Sequence, residues 1–416
     1  MYNFFKGRLL FVRLIMLLAA LALVAIGIIT IYSISNPVEV SPTNPTEKLS
    51  ALWKKQTIFA VVAFFGFIAA NLLNYRRLGE LSHWIYAVVL LLLAVVLLGR
   101  FVKLPFVPMI NGTHRWIQFS IAGRDLPSIQ PSEFCKVAYI IALAWYLRYK
   151  SNYRNFNALL VPFLLTLLPM LLILLEPDLG TVMLMMPILF TMLFVAGAKV
   201  KHLLFIILLA AIVSPLMWMY MESYQKARIS SVIFQSEKLR KKAEDSPRIA
   251  KILVGEKFSE RKWKRDDGFH LIRSKYAIAS GGIKGYGFRK GPFIKYDFLP
   301  YRTNDFIFAS IAHQWGLKGC LILLGIYIIL IGCGVEIAVS NTDPFARLFA
   351  VGIIAMFTVE VLINVSMTLG LMPITGLTLP LVSYGGSSLL VSMISLGLLN
   401  NIGRCRPFSV APKAFQ

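Results

Sequence analysis

Residues Leu14–Tyr32 read LIMLLAALALVAIGIITIY, an apolar run without one charged side chain. A helix rises ~1.5 Å per residue and bilayer hydrocarbon is ~30 Å thick, so a run of this length reaches across it. Further blocks of the same character follow at Thr57–Leu73, Leu81–Leu98, Phe134–Leu147, Leu159–Leu175, Leu179–Gly197, Leu203–Met221, Phe306–Val335, Leu348–Leu371 and Ser388–Ile402. Hydrophobic residues make up 57% of the 416 and charged residues only 15%. A soluble chain of this length needs far more charge to solvate its surface. The expected fold is an all-α polytopic membrane protein of about ten transmembrane helices, with residues 1–416 forming one transmembrane domain. The first run is too long for a secretory leader, and Ile34–Val40 offers no small-residue cleavage pattern, so the run is expected to be retained.

Charge sets the expected orientation. With the N-terminus in the cytoplasm, the short inner loops collect Lys6, Arg8, Arg13, Arg76, Arg77, Arg148, Lys150, Arg154, Lys199 and Lys201, and Arg404, Arg406 and Lys413 also fall inside. The short outer connections near Pro42 and Glu176–Gly180 are poor in basic residues, as the positive-inside rule requires. The formal charge is +23, and about half of the Lys and Arg lie in Glu222–Asn304, a long extracytoplasmic loop between spans seven and eight. Long loops translocate largely regardless of charge. An exported basic loop points to anionic lipid headgroups or a pyrophosphate substrate, not to nucleic acid.

The four cysteines (Cys135, Cys320, Cys333, Cys405) fall in or beside spans without paired spacing, and read as small apolar residues. The five histidines form no metal-binding pattern, so no structural metal is expected.

Two extramembrane regions are large enough to carry chemistry: 100–130, running into the fourth span, and the long loop 222–304. The first holds Asn111-Gly112-Thr113-His114-Arg115-Trp116-Ile117 and ends in Gln130-Pro131-Ser132-Glu133-Phe134-Cys135-Lys136. Ser132 is a candidate helix cap, and Glu133 suits a helix N-terminus. Glu133 and Lys136, at i and i+3, share a face. They read either as a structural ion pair or as part of a polar cavity, and intramembrane ionisable residues favour the second. Glu176-Pro177-Asp178-Leu179-Gly180-Thr181 reads equally as a turn with an acidic helix start or as a catalytic pair.

In the long loop, Gln235–Arg265 is charge-rich and reads as a solvated helical insert or an amphipathic piece on the headgroups. Ser280–Gly287, with Lys284, Arg289 and Lys290, would allow close backbone approach and tight turns with exposed N–H groups, suited to phosphate. Asp305 stands where the chain re-enters the membrane. Local sequence favours Asn304 or Asp305 as a cap, while a partly desolvated carboxylate there could also serve as a general base. Met372–Ser388, with prolines, glycines and hydroxyls including Ser383 and Ser387, is irregular backbone that must be buried in protein or line a polar cavity.

Leu379-Pro380-Leu381-Val382-Ser383-Tyr384-Gly385-Gly386-Ser387-Ser388 resembles the signature of the SEDS (RodA/FtsW) family. Asn111–Ile117, Gln130–Lys136, Glu176–Thr181, Ile272–Gly287 and Asn304–Phe308 follow in that family's order and spacing, over most of the chain. Met372–Leu390 and Gly268–Lys275 look closer to RodA than to FtsW. The resemblance implies a peptidoglycan glycosyltransferase of the bacterial inner membrane acting on lipid II, with Asp305 as catalytic base. By the same resemblance Arg115, Trp116, Gln130, Ser132, Glu133, Lys136, Lys275, Lys284, Ser383 and Ser387 are candidates for substrate binding. It further implies a class B penicillin-binding protein as partner and leaves room for a divalent cation, Mg or Mn. His313-Gln314-Trp315-Gly316 departs from the pattern, because many relatives carry an acidic pair there. A lipid II flippase and a scaffold for the elongation machinery are the competing readings.

Overall fold

The computed structural model describes residues 9–37, 51–110, 113–118, 120–121, 124–125, 127–148, 156–221, 223–255, 258–265, 267–296 and 298–404. Lys6, Arg8, Pro42, Asn111, Gly112, Lys150, Arg154, Cys405, Arg406 and Lys413 lie outside them.

Each apolar block sits on a helix. In chain order these are α1 (Leu10–Ser35), α2 (Leu52–Leu72), the short α3 (Tyr75–Glu80) and α4 (Ser82–Leu98). A two-residue ribbon pairs β1 (Ser120–Ile121) antiparallel to β2 (Arg124–Asp125). Next come α5 (Pro131–Leu147), α6 (Leu160–Leu175), α7 (Leu179–Val195) and α8 (Val200–Tyr220). Then follow α9 (Ser223–Ile233), α10 (Glu237–Asp245), α11 (Pro247–Leu253), α12 (Glu260–Arg265), α13 (Asp267–Gly281) and α14 (Pro292–Lys295). The chain closes with α15 (Ile307–Val339), α16 (Pro344–Leu369) and α17 (Gly386–Arg404). Five of these (α1, α2, α15, α16 and α17) are long and apolar enough to cross a membrane, and α4, α6, α7 and α8 are shorter apolar helices.

Between helices in lipid, apolar burial gives little drive, so small residues and polar contacts hold the bundle. A Cβ on Gly397 of α17 would stand 2.5 Å from the Phe67 carbonyl of α2, so only glycine permits that approach. Beyond it Asn401 donates to the carbonyls of Asn71 and Leu73, at 2.5 and 2.8 Å. Arg13 of α1 donates to Asn400 Oδ1 at 3.0 Å. α5 is buried along almost its whole length and packs against α4, α6, α7, α16 and α17, which makes it the axis of the bundle. α8 lies at the opposite extreme, with Leu204, Leu208, Ile212 and Leu216 all exposed. Of the cysteines, Cys135 and Cys320 are buried, Cys333 is half-buried, and all three are free thiols.

Gln235–Arg265 is helical with its charged side chains largely exposed, and it also contributes to a small apolar core. Phe234, Ala243, Ala250, Val254, Phe258 and Trp263 close around a small core of their own. Phe234 and Phe258 pack at 4.3 Å between ring centroids, and Arg240 pairs with Glu260 at 2.9 Å while lying over Trp263. The apolar residues are too scattered along the chain for helical periodicity to reveal this, because several short elements each contribute only one or two.

The glycine-rich stretch is also not an open anion cradle. α15 breaks at Gly316, whose φ of 62° interrupts the helix. A break leaves backbone donors and acceptors without helical partners, and burying them unpaired is costly. Gly282 and Ile283 supply the missing carbonyls to the N–H groups of Leu317 and Lys318, at 2.9 and 3.3 Å. Tyr286 and Gly287 donate in turn to the carbonyls of His313 and Gln314, at 3.1 and 2.9 Å, and Gly285 donates to Gly281. The N–H groups of these three residues are therefore used. His313 and Gln314 serve the same junction. His313 Nε2 accepts from the Phe293 N–H, leaving Nδ1 to donate to Ser280, and Gln314 Oε1 accepts from the Arg289 N–H. Gly285 combines a φ of 75° with a close approach, since a Cβ there would collide with the Gln314 carbonyl. Gly285→Ala should destabilise the fold by ~2 kcal/mol or more, read as a lower melting temperature in detergent. An unchanged melting temperature would refute this account of the junction.

Candidate active site

Asp305 precedes α15 in a run of turns, but it does not cap the helix. The N-cap position is Phe306, and no side chain caps it. Asn304 is engaged elsewhere: its side chain accepts from Thr303, and its carbonyl accepts from Ser383 Oγ at 2.6 Å. The cap expected for Asn304 or Asp305 is thus absent, and no described residue hydrogen-bonds to the Asp305 carboxylate. Its backbone carbonyl is fixed by Asn364 Nδ2 of α16 at 3.0 Å, and the same amide holds the Leu377 carbonyl at 2.6 Å. One buried side chain therefore joins the turn before α15 to the irregular segment between α16 and α17.

That segment folds back into the bundle with its polar groups satisfied, as backbone at membrane depth requires. Tyr384 N–H donates to the Thr303 carbonyl at 2.9 Å, Ser383 Oγ accepts from Leu379 N–H, and Gln56 donates to the Ser383 carbonyl. Val382 presses so close to α1 that a Cβ on Gly27 would collide with its carbonyl. Gly376, in the left-handed region, faces Asp305, with Oδ2 3.8 Å from where its Cβ would be.

The third wall comes from α5 and α7. Asp178 caps α7, accepting from the Thr181 N–H and hydroxyl, and it also accepts from Ser132 Oγ at 3.0 Å and Gln130 Nε2 at 3.3 Å. Ser132 is consequently not the cap expected for α5: Gln130 occupies that position, Pro131 is the first helical residue, and the Ser132 hydroxyl turns to Asp178. Ser387 ties in α17 by accepting from Gln130 N–H at 3.2 Å. Arg115 reaches across from the preceding loop, donating from Nε to the Glu176 carbonyl at 2.8 Å and from Nη2 to the Pro177 carbonyl. Trp116 is half-buried beside it.

These elements set the electrostatics. Burial raises the Asp305 carboxyl to about 6, with a push from Asp178, while Arg228 of α9 and Arg115 hold it down. Burial likewise lifts Glu176 to about 8, helped by Asp178 and opposed by Arg115. Glu176 is thus protonated at neutral pH in the folded chain and ionised in the unfolded one. Its folded value exceeds the ordinary 4.5, so it costs stability increasingly as pH rises from 4.5 through 8. Glu176→Gln should remove that pH dependence and raise the melting temperature at pH 8, while leaving it unchanged near pH 4. Destabilisation at pH 8, shrinking toward pH 4, would show instead that the carboxyl is ionised and paired.

Glu133 and Lys136 pair as their spacing predicts, at 2.8 Å, but they face a third partner. Lys136 Nζ also meets Glu360 of α16 at 2.6 Å, and all three side chains are buried. Glu360 lies one helical turn from Asn364, so the triad sits directly beneath the residue that holds Asp305. Lys275 donates to Gln235, and Lys284 lines a separate recess; neither contacts Asp305. Sequence reading did not single out Arg228, Asn364 or Glu360, and it held Asp178 only as one half of an acidic pair. Glu360 did carry a signal, being a lone acid within the apolar block Leu348–Leu371 that needed a buried partner.

Among the described residues, no group of three His, Cys, Asp or Glu could hold a metal ion. Asp178 is already engaged by Ser132, Gln130 and Thr181, so these side chains build no protein-only cation site.

A family model described as FTSW_RODA_SPOVE, cell cycle protein, matches residues 13–406. The peptidoglycan glycosyltransferase RodA of Treponema pallidum is 32% identical, covering 93% of this chain and 96% of that protein. Stage V sporulation protein E of Bacillus subtilis is also 32% identical, covering 94% and 96%. A chain from a solved structure on the structural coordination of polymerization and crosslinking by a peptidoglycan synthase complex superposes with a TM-score of 0.70. It is 28% identical, with 94% of this chain and 96% of that one covered.

Proposed function

The chain belongs to the FtsW/RodA/SpoVE family of cell cycle proteins, and we infer that it is a peptidoglycan glycosyltransferase polymerising lipid II into glycan strands. The observation that carries the reading is Asp305, a desolvated carboxylate without a hydrogen-bond partner among the described residues, in the field of Asp178 and two arginines. Asp305 takes the proton from the 4-hydroxyl of the acceptor GlcNAc as that oxygen attacks C1 of the lipid-linked MurNAc. The C1–O bond to undecaprenyl pyrophosphate breaks, and its electron pair leaves with the pyrophosphate. An α-linked donor giving a β-1,4 bond is a single displacement with inversion, so no covalent nucleophile is needed. Arg228 and Arg115 are the cations that offset charge developing on the leaving group. Gln130, Ser132, Ser383 and Ser387 fix the walls between which the two sugars meet. A divalent cation such as Mg or Mn would enter with the pyrophosphate, and Asp305, whose carboxylate bonds to no described residue, would be the side chain to meet it.

In this reading the ten helices α1, α2, α4 to α8 and α15 to α17 cross the bacterial inner membrane as one unit. The termini are cytoplasmic and the 222–304 loop and Asp305 extracytoplasmic. The RodA-like stretches favour a role in elongation, beside a class B penicillin-binding protein that crosslinks the strands. The flippase reading is weaker, because the candidate site residues gather around Asp305 at one end of the bundle instead of at the midplane. Purified protein should elongate lipid II in detergent. Lipid II crossing vesicles without polymer being formed would favour transport instead.

A further inference from the structure

α15 is 33 residues long, or ~50 Å at 1.5 Å per residue, which exceeds the ~30 Å of bilayer hydrocarbon. Its two parts differ in surroundings. Ile307–Gln314 is buried throughout, whereas past the Gly316 break Leu317, Leu321 and Ile322 are 53%, 60% and 63% exposed. The stretch after the break is ~35 Å long and carries the lipid-facing side chains, so the break marks the level where hydrocarbon begins.

At that level lies a recess of about 320 Å³ lined by Lys284, Trp315, Lys318, Gly319 and Ile322. It is built by the backbone. Ile283 accepts from the Lys318 N–H, so Lys284 and Lys318 start from neighbouring positions and reach the same space. Gly319 gives Trp315 its place, since a Cβ there would collide with the Trp315 Cβ. Neither lysine has an acidic partner among the described residues. Two ammonium groups sharing one recess repel unless an anion lies between them.

We propose that this recess binds the phosphodiester headgroup of an anionic bilayer phospholipid. The phosphate lies between Lys284 and Lys318, the glycerol backbone against Trp315, and an acyl chain runs down the face of Leu321 and Ile322. Lysine stems resting on apolar surface with their charges at headgroup level, and an aromatic ring beside them, suit this ligand. The site is separate from Asp305, so it neither depends on the glycosyltransferase reading nor tests it.

The full chain can be reconstituted in nanodiscs of phosphatidylcholine with a minority of phosphatidylglycerol, then stripped of bulk lipid and weighed by native mass spectrometry. One phosphatidylglycerol should remain per chain. Lys284→Gln with Lys318→Gln should weaken its retention on the order of 30-fold, at about one lipid-facing charge lost per lysine. Lys284→Arg with Lys318→Arg should restore it, which separates lost charge from lost fold. Unchanged retention in the glutamine variant, or equal retention of phosphatidylcholine, would overturn the proposal. So would recovery of a pyrophosphate-linked carrier lipid in place of phosphatidylglycerol from protein purified with cell lipid.

Discussion

Asp305→Asn should lower lipid II polymerisation by ~100- to 10,000-fold, the range set by removing a positioned general base. The amide fills the same volume, the Asp305 side chain bonds to no described residue, and removing a desolvated charge relieves a cost of folding, so melting temperature at neutral pH should not fall. The wild-type rate should also carry a diagnostic pH limb. A base works only when deprotonated, and burial raises this carboxyl to about 6. Activity should therefore climb tenfold per pH unit below 6 and level off above it, whereas an ordinary aspartate would stay active to about 4. Arg228→Gln removes a cation that holds the value down, so the limb should shift to higher pH. A variant Asp305→Asn that polymerises normally would end the base assignment.

The largest effect on stability should come from Lys136→Met. Lys136 is the one cation between Glu133 and Glu360, and it sits 3% exposed at the axis of the bundle. Removing it leaves two buried carboxylates facing each other, and loss of one member of a buried ion pair costs ~3–5 kcal/mol. Lys136→Met together with Glu133→Gln and Glu360→Gln should regain most of that loss, because no uncompensated charge remains. The sharp test is the difference between single and triple variants in thermal unfolding. If the two melt alike, the three residues do not act as a charge-neutralising unit. Activity of the refolded triple variant then reports separately whether the triad also orients Asn364, and through it Asp305.

Around the site, sequence reading failed for one shared reason. Ser132, Asn304 and Asp305 are good capping residues by type, and the chain around them looks like a helix start. Ser132 instead meets Asp178, 46 positions away, and Asn304 meets Ser383, 79 positions away. Ser280–Gly287 has the composition of an anion-binding loop, yet its N–H groups mend a broken helix that local pattern had drawn as continuous. Polar side chains and glycines can satisfy several partners equally well, and composition cannot say which partner lies nearest.

The helical membrane class, the places of the apolar helices and the Glu133–Lys136 pair were all legible along the chain. They depend on continuous apolar length and on i, i+3 spacing, both of which are local properties. Three things became visible only in the folded bundle: Glu360 completes the charge triad, Asn364 holds the turn carrying Asp305, and this carboxylate is left unbonded beside Arg115 and Arg228. Those facts rest on contacts between helices distant in the chain, where buried charge and backbone must find partners across space.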